Sequence, residues 1–284
     1  MSVSIAHLGP KGTFSEFAAA TYAQSIRPAP GQQTSKLKAY TTITGAIRAA
    51  AERQTDFCVV PVENSIGGGV TFTLDTLWEI DTLQIQQAFT LPIRHALISK
   101  ADSFKDIKTV YSHPQALSQC QKWLEANMSG ANLVSASSTT ERLPDIQENK
   151  RLGAIASSWG AKVYDLPILA HPINDFADNY TRFWVLGHKP ANQGQYTSLA
   201  FSLRSNEAGA LLKPLQLFSA LNINMSRIES RPTKRLLGDY IFFVDIEANA
   251  AERTTQTALE LLKMHTAKLK IFGSYDLTAV QEVL

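Results

Sequence analysis

The stretch "DFCVVPVE", residues 56–63, decides the fold. Its almost continuous apolar character suits a strand covered on both faces, the kind found inside α/β sheets. What surrounds it agrees. "TGAIRAAAERQ" (44–54) reads as the helix leading into it. Upstream, "VSIAHLG" (3–9) is a strand followed by the helix "TFSEFAAATYAQ", where Thr13 and Glu16 form a capping-box pattern. Downstream, "LQIQQAFTLPIRHALIS" (83–99) alternates like one long β segment. "TVYSHP" (109–114) is a strand, with Pro114 placed to open the helix "QALSQCQKWLEAN". "NLVSASS" (132–138), a helix from about Thr139, "LGAIAS" (152–157), another short helix and "ILAHPI" (168–173) continue the alternation. The pattern predicts an α/β unit with mostly parallel strands.

Around "GHKPANQGQ" (187–195) the pattern stops at a linker-like composition. Beyond it, "YTSLAFSLR" is a strand and "GALLKPLQLFSALN" a helix with Leu211, Leu215, Phe218 and Leu221 on one stripe. "INMSRIESRP" and "GDYIFFVDIEA" are strands, and a helix over about 254–267 and the strand "LKIFGSY" follow. This is the βαββαβ order of a ferredoxin-like unit.

The totals exclude several classes. A net charge of +2 with scattered basic residues lacks the basic face that nucleic acid requires. Two cysteines, Cys58 and Cys120, in apolar or helical runs argue against a disulfide framework or cysteine-rich metal site and fit a reducing cytoplasm. No signal-peptide pattern opens the chain and no apolar run approaches the roughly 20 residues that span a bilayer.

Five polar turns follow five strands, where open α/β sheets hold their ligands. "GPKGTFSE" (9–16) offers backbone N–H groups to an anion, with Lys11 near, or is simply a tight turn. "PVENSIGGGV" (61–70) combines Glu63, Asn64 and Ser65 with three glycines. "YSHPQALSQC" (111–120) carries Ser112, Gln115 and His113, the last as a turn residue or a general base. In "SASSTTER" (135–142), Ser138 or Thr139 could cap a helix. "NYTRFWVLG" (179–187) puts Thr181 and Arg182 at the mouth of a buried run; Arg182 either pairs with Asp178 or serves a site. Few carboxylates and many N–H and O–H donors suit a small anionic ligand, not a metal or an acyl intermediate.

In order, "LGPKGTFSEFAA", "VPVENSIGGGV", "YSHPQALSQC", the Ser-Thr of "SSTTER" and "NYTRFWVLG" resemble the successive signatures of the prephenate dehydratases. "GALLKPL" and "IESRPTKRLLGDYIFFVDIE" resemble the Gly-Ala-Leu and Glu-Ser-Arg-Pro motifs of that family's ACT regulatory domain. Arg142 and the run Gly67 to Gly69 depart from the usual pattern without removing a residue that the resemblance assigns to chemistry.

The resemblance implies a two-lobed, periplasmic-binding-protein-like α/β catalytic domain over 1–188, a linker over 189–195 and an α+β ACT domain over 196–276. It implies a monofunctional carbon–oxygen lyase, without cofactor or metal, that converts prephenate to phenylpyruvate in L-phenylalanine biosynthesis. Thr181 would stand at the leaving hydroxyl, and Arg182 would supply positive potential or brace the strand. Asn64, Ser65, Ser112, Gln115, Ser138 and Thr139 would hold substrate. L-Phenylalanine would act as effector at Gly209, Ala210, Leu211, Glu229, Ser230 and Arg231, in a cytoplasmic homodimer or homotetramer joined through the ACT domain. The competing expectation is a two-lobed amino-acid-sensing protein without catalysis.

Overall fold

The computed structural model describes residues 2–26 and 35–280. In chain order the first lobe holds β1 (Ser4–Leu8), α1 (Phe14–Ser25), β2 (Lys36–Tyr40), α2 (Ile43–Ala51), β3 (Phe57–Asn64), β4 (Gly68–Gly69), α3 (Thr71–Glu79) and β5 (Gln84–Pro92). The second holds β6 (His95–Ile98), β7 (Thr109–Ser112), α4 (Pro114–Ser118), α5 (Gln121–Met128), β8 (Asn132–Ser135), α6 (Leu143–Glu148), β9 (Leu152–Ser157), α7 (Ser158–Tyr164) and β10 (Ile168–Ala170). The chain returns on β11 (Tyr180–Gly187), then forms β12 (Tyr196–Leu203), α8 (Leu212–Ala220), β13 (Met225–Pro232), β14 (Tyr240–Ile246), α9 (Arg253–His265), β15 (Thr266–Tyr275) and β16 (Leu277–Ala279).

The described residues form three sheets. The first runs β16-β5-β11-β3-β1-β2 with β4 beside β3, the second β10-β6-β9-β7-β8, and the third β13-β14-β12-β15. The expectation of mostly parallel strands needs correction. Parallel pairing joins β2, β1 and β3, and again β8, β7 and β9, but β11 lies antiparallel to both β3 and β5. The reason is the crossing between lobes. The 83–99 segment is two strands, broken at Ile93 and Arg94, and β11 runs back beside the first of them. Ile93 N–H donates to Asn179 O (2.7 Å), and Asn174 ties both sides of the crossing through His95 N–H (2.6 Å) and Ile93 O (2.8 Å).

The 56–63 stretch is the central strand it promised to be. Cys58, Val60 and Val62 join one core with α2 and α3, while Val59 faces α1 with Ile5, Phe89 and Phe183. The third sheet is also covered twice. Leu199, Phe201, Val244 and Ile246 pack on α8 and α9. The opposite face, with Ala200, Phe243 and Phe272, joins the first lobe's core around Trp184, Leu74 and Leu77. Burial on that scale, about 25 cal/mol for each Å² of apolar surface, docks the third sheet firmly on the lobe. Cys58 and Cys120 are buried free thiols. No helix among the described residues is long and apolar enough to cross a membrane.

Candidate active site

Between the two lobes lies a cleft of about 500 Å³. The first lobe contributes Phe14 and Ser15 from the first turn of α1, Asn64, Gly67 to Gly69, and Val70 to Phe72 at the start of α3. The second contributes His95, His113, Gln115, Gln119 and Thr139, and β11 supplies Thr181 and Phe183. Among the described residues, no Lys, Arg, Asp or Glu lines it. Positive potential comes instead from backbone: α1 and α3 both aim their N-terminal turns at the space, and the start of α3 has no side-chain cap among the described residues.

Thr181 reaches the cleft because β11 alternates. It and Phe183 line the wall, and Arg182 between them points elsewhere. Thr181 stands opposite Asn64, and the ladder slips between Arg182 and Phe183, where Pro61 has no N–H to offer. Asn64 is 8% exposed and its orientation is unambiguous. Its Oδ1 accepts from the backbone N–H groups of Ile66 (3.2 Å) and Gly67 (2.8 Å), which can only donate. Its two Nδ2 hydrogens therefore serve Asn179 Oδ1 (2.7 Å), Tyr180 O (3.1 Å) and Thr181 Oγ1 (3.0 Å), one of them shared between two acceptors. Thr181 accepts there, which leaves its own O–H free to donate into the cleft it lines. Asn179 Nδ2 donates onward to Gln119 Oε1 (3.0 Å), which also meets His95 Nε2 (2.9 Å). Burial holds the His95 imidazole below its usual pKa, against the hydrogen bond with Gln119, and His171 lowers it further.

Of the residues nominated from sequence, the cleft gathers Asn64, His113, Gln115, Thr139 and Thr181, with His113 Nδ1 accepting from Gln115 N–H (3.2 Å) as a helix cap. The remaining nominated side chains are turned elsewhere. Ser112 Oγ donates to Ile155 O (2.6 Å) and locks β7 to β9. Ser65 donates to Asp178 O (3.1 Å) and accepts from Tyr180 N–H (2.9 Å), stapling its loop to the start of β11. Ser138 keeps a buried Oγ, unpartnered among the described residues, but lies outside the cleft lining. Lys11 is also outside the lining, and the turn around Gly12 docks on the second lobe, where Gly12 O accepts from Ser157 Oγ (3.0 Å).

Arg182 is a correction as well. It pairs with Asp245 Oδ2 (2.8 Å) and Glu63 Oε2 (3.5 Å), not with Asp178 and not with the cleft. Asp245 belongs to the third sheet, so Arg182 bridges the lobe to that unit. Nearby, Arg227 Nη2 meets Glu229 Oε2 (2.6 Å), and Arg231 Nε meets Asp75 Oδ1 (3.1 Å). The Glu229 carboxylate lies against Gly69, where a Cβ would overlap it. Glu229 and Arg231 thus face the glycine loop and α3, while Ser230 between them is exposed. Gly209 has φ +80° with open space beside it, Ala210 lines a hollow of about 160 Å³, and Leu211 stands just before α8 without a side-chain cap bond. No hydrogen bond among the described residues joins Gly209–Leu211 to Glu229–Arg231.

Sequence reasoning missed Gln119, Asn179 and His95. Each sits inside a stretch already singled out, but their shared network spans both lobes.

The comparisons with known proteins fall on the same ground. The family model for prephenate dehydratase matches residues 5–191. A bifunctional chorismate mutase/prephenate dehydratase of Aquifex aeolicus is 38% identical over 284 residues, 99% of this chain and 75% of its own. A prephenate dehydratase of Lactococcus lactis subsp. cremoris is 35% identical over 289 residues, covering 99% of this chain and 100% of its own. The crystal structure of a prephenate dehydratase from Arthrobacter aurescens in complex with L-Phe superposes with a TM-score of 0.85 at 30% identity, over 96% of this chain and 90% of that one. The two-lobed α/β fold, the cleft between the lobes and these matches place the chain in the prephenate dehydratase family.

Proposed function

We propose that this cleft converts prephenate to phenylpyruvate, with Thr181 as the donor to the departing ring oxygen. The carbon–oxygen bond to the ring hydroxyl breaks as the carboxylate leaves as carbon dioxide, and the electrons of that C–C bond complete the aromatic ring. A proton delivered to the oxygen makes the second leaving group water. The observation that carries the reading is the direction of one hydrogen bond: Asn64 donates to Thr181, which leaves the Thr181 O–H free to donate to a ligand in the cleft. A threonine hydroxyl is a weak acid, and its contribution is a preorganised hydrogen bond that strengthens as charge grows on the oxygen. Neutral donors from Gln115, Thr139 and two helix starts hold the substrate carboxylates without gripping the one that must depart, while Asn64, its amide already engaged, shapes the wall and holds Thr181. Ser65 and Ser112 support this wall from behind through their bonds to Asp178 O and Ile155 O.

Residues 1–188 are read as the catalytic domain, 189–195 as a linker and 196–276 as an ACT regulatory domain. The βαββαβ order supports that division, as does the relative that holds L-Phe. L-Phenylalanine is the effector proposed for this chain, near Gly209, Ala210 and Leu211. Glu229 and Arg231 transmit its binding to the glycine loop and α3, with Ser230 on the outward side. Two or four copies would join through this unit in the cytoplasm, since β13 is a sheet edge exposing Ile228.

The test follows phenylpyruvate formation from prephenate for the wild type, Thr181→Ala and Thr181→Ser. Loss of the donor is expected to cost about 10²–10³ in kcat, with Ser retaining most of the rate. Wild-type turnover by the Ala variant removes Thr181 from the mechanism. A wild type that forms no phenylpyruvate removes the activity and leaves a binding protein.

A further inference from the structure

Two backbone N–H groups set the polarity of the buried chain at one end. Ile66 and Gly67 can only donate, so Asn64 Oδ1 accepts and Asn64 Nδ2 donates. Asn179 Oδ1 must then accept, which turns Asn179 Nδ2 toward Gln119 Oε1. Gln119 Oε1 is thereby an acceptor, and the partner it meets at 2.9 Å, His95 Nε2, must carry the proton. His95 is 3% exposed, and its Nδ1 has no partner among the described residues. A protonated Nδ1 would be a buried donor without an acceptor, so the ring is the neutral tautomer with hydrogen on Nε2.

We propose that His95 is a positioning residue for the reaction: its Nε2–H anchors the far end of a Gln119–Asn179–Asn64 amide chain that aims the Thr181 hydroxyl into the cleft. The chain crosses the hinge. His95 stands on β6 of the second lobe, Asn179 precedes the returning strand β11, and Asn64 and Thr181 stand on the first lobe's sheet. Amides do not pass protons readily, so the chain carries orientation and not acid. Without the Nε2–H, Gln119 is free to flip and present its NH₂ to Asn179. Asn179 would then turn its own NH₂ elsewhere or oppose that of Asn64, which the backbone of the glycine loop prevents from following. The acceptor set of Asn64 changes, and with it the hold on Thr181.

The inference rests on the phenylpyruvate-forming reading, and the test separates the two. Kinetics are measured for the full chain as wild type, His95→Asn, His95→Gln, Thr181→Ala and Thr181→Ala with His95→Asn. Gln reproduces the position of Nε2 and Asn that of Nδ1. His95→Asn is expected to lose about tenfold in kcat with KM changed less than about twofold, the effect of one misdirected hydrogen bond. His95→Gln should recover to within about threefold of wild type, as its amide NH₂ replaces the lost donor. In the Thr181→Ala background, His95→Asn should cost nothing further, because a residue acting through Thr181 is non-additive with it. If His95→Asn does not fold, Gln119→Met breaks the same chain beside an intact His95 and carries the same expectations. Unchanged kcat in His95→Asn, no recovery in His95→Gln, or full additivity with Thr181→Ala overturns the role of His95. Each presupposes an active wild type, so an inactive wild type rejects the functional reading instead.

Discussion

Arg182 and Thr181 are neighbours on one strand, and their substitution should fail in opposite ways. Arg182→Met keeps the stem and removes the charge. Arg182 Nη1 lies 2.8 Å from Asp245 Oδ2, with the two side chains 18% and 2% exposed. Breaking a fully buried pair by removing one partner costs about 3–5 kcal/mol. Here the cost is smaller, because Asp245 keeps the hydroxyl of Ser198 at 2.5 Å and Arg227 Nη1 at 3.7 Å. Partial exposure of Arg182 reduces it further, leaving about 2–3 kcal/mol. An unfolding entropy of about 2.1 cal/mol/K per residue converts that to a drop of roughly 3–5 °C in Tm. The assay pairs a melting curve with phenylpyruvate kinetics. Arg182→Met should melt earlier and keep kcat within about threefold, since removing a group outside the cleft takes no transition-state contact away. A variant that melts like the wild type but has lost a hundredfold in kcat would refute the placement of Arg182 in the bridge.

Three further outcomes are expected. Gly69→Ala should displace the Glu229 carboxylate and cost about 1–3 kcal/mol of stability, and should cost less in a chain already carrying Glu229→Ala; an equal cost by urea midpoint in both backgrounds would deny the contact. Burial, chiefly, holds the imidazoles of His7 and His95 below the ordinary histidine value of 6.5. A depressed histidine takes up protons more readily unfolded than folded, so stability should fall as pH drops below about 6.5. The urea midpoint should be lower at pH 5.5 than at 7.5, with a shallower slope in His95→Gln; identical slopes count against a neutral buried His95. L-Phenylalanine should raise Tm and change turnover, and neither response moving would remove the effector site.

Much of the scaffold was legible because burial leaves a periodic mark. The run 57–62 had to be central, and the helix signals around Thr13 and Pro114 are realised as side-chain or proline caps. What escaped notice was polar or short. "KLKAY" (36–40) forms β2 at a sheet edge, too exposed to announce itself, and the helix after Pro114 breaks at Gln119 and Cys120. In the cleft, Asn64 and Thr181 stood beside distinctive glycine and aromatic neighbours. A serine hydroxyl gives no hint in sequence of whether it meets a ligand or a carbonyl, and Ser65 and Ser112 found carbonyls. Gln119, Asn179 and His95 were hidden because Asn64 and Asn179 meet across 115 residues. No local pattern encodes such a meeting.

The short strand β16 pairs in parallel with β5, Leu277 opposite Ala88 and Ala279 opposite Thr90. A ribosome therefore delivers the edge of the first sheet only after the whole third sheet has been made. Until then β5 exposes a row of unpaired N–H and C=O groups, the surface on which another chain can add a strand. The nascent chain therefore carries an open flank from the making of β5 until the third sheet is complete and β16 has followed it.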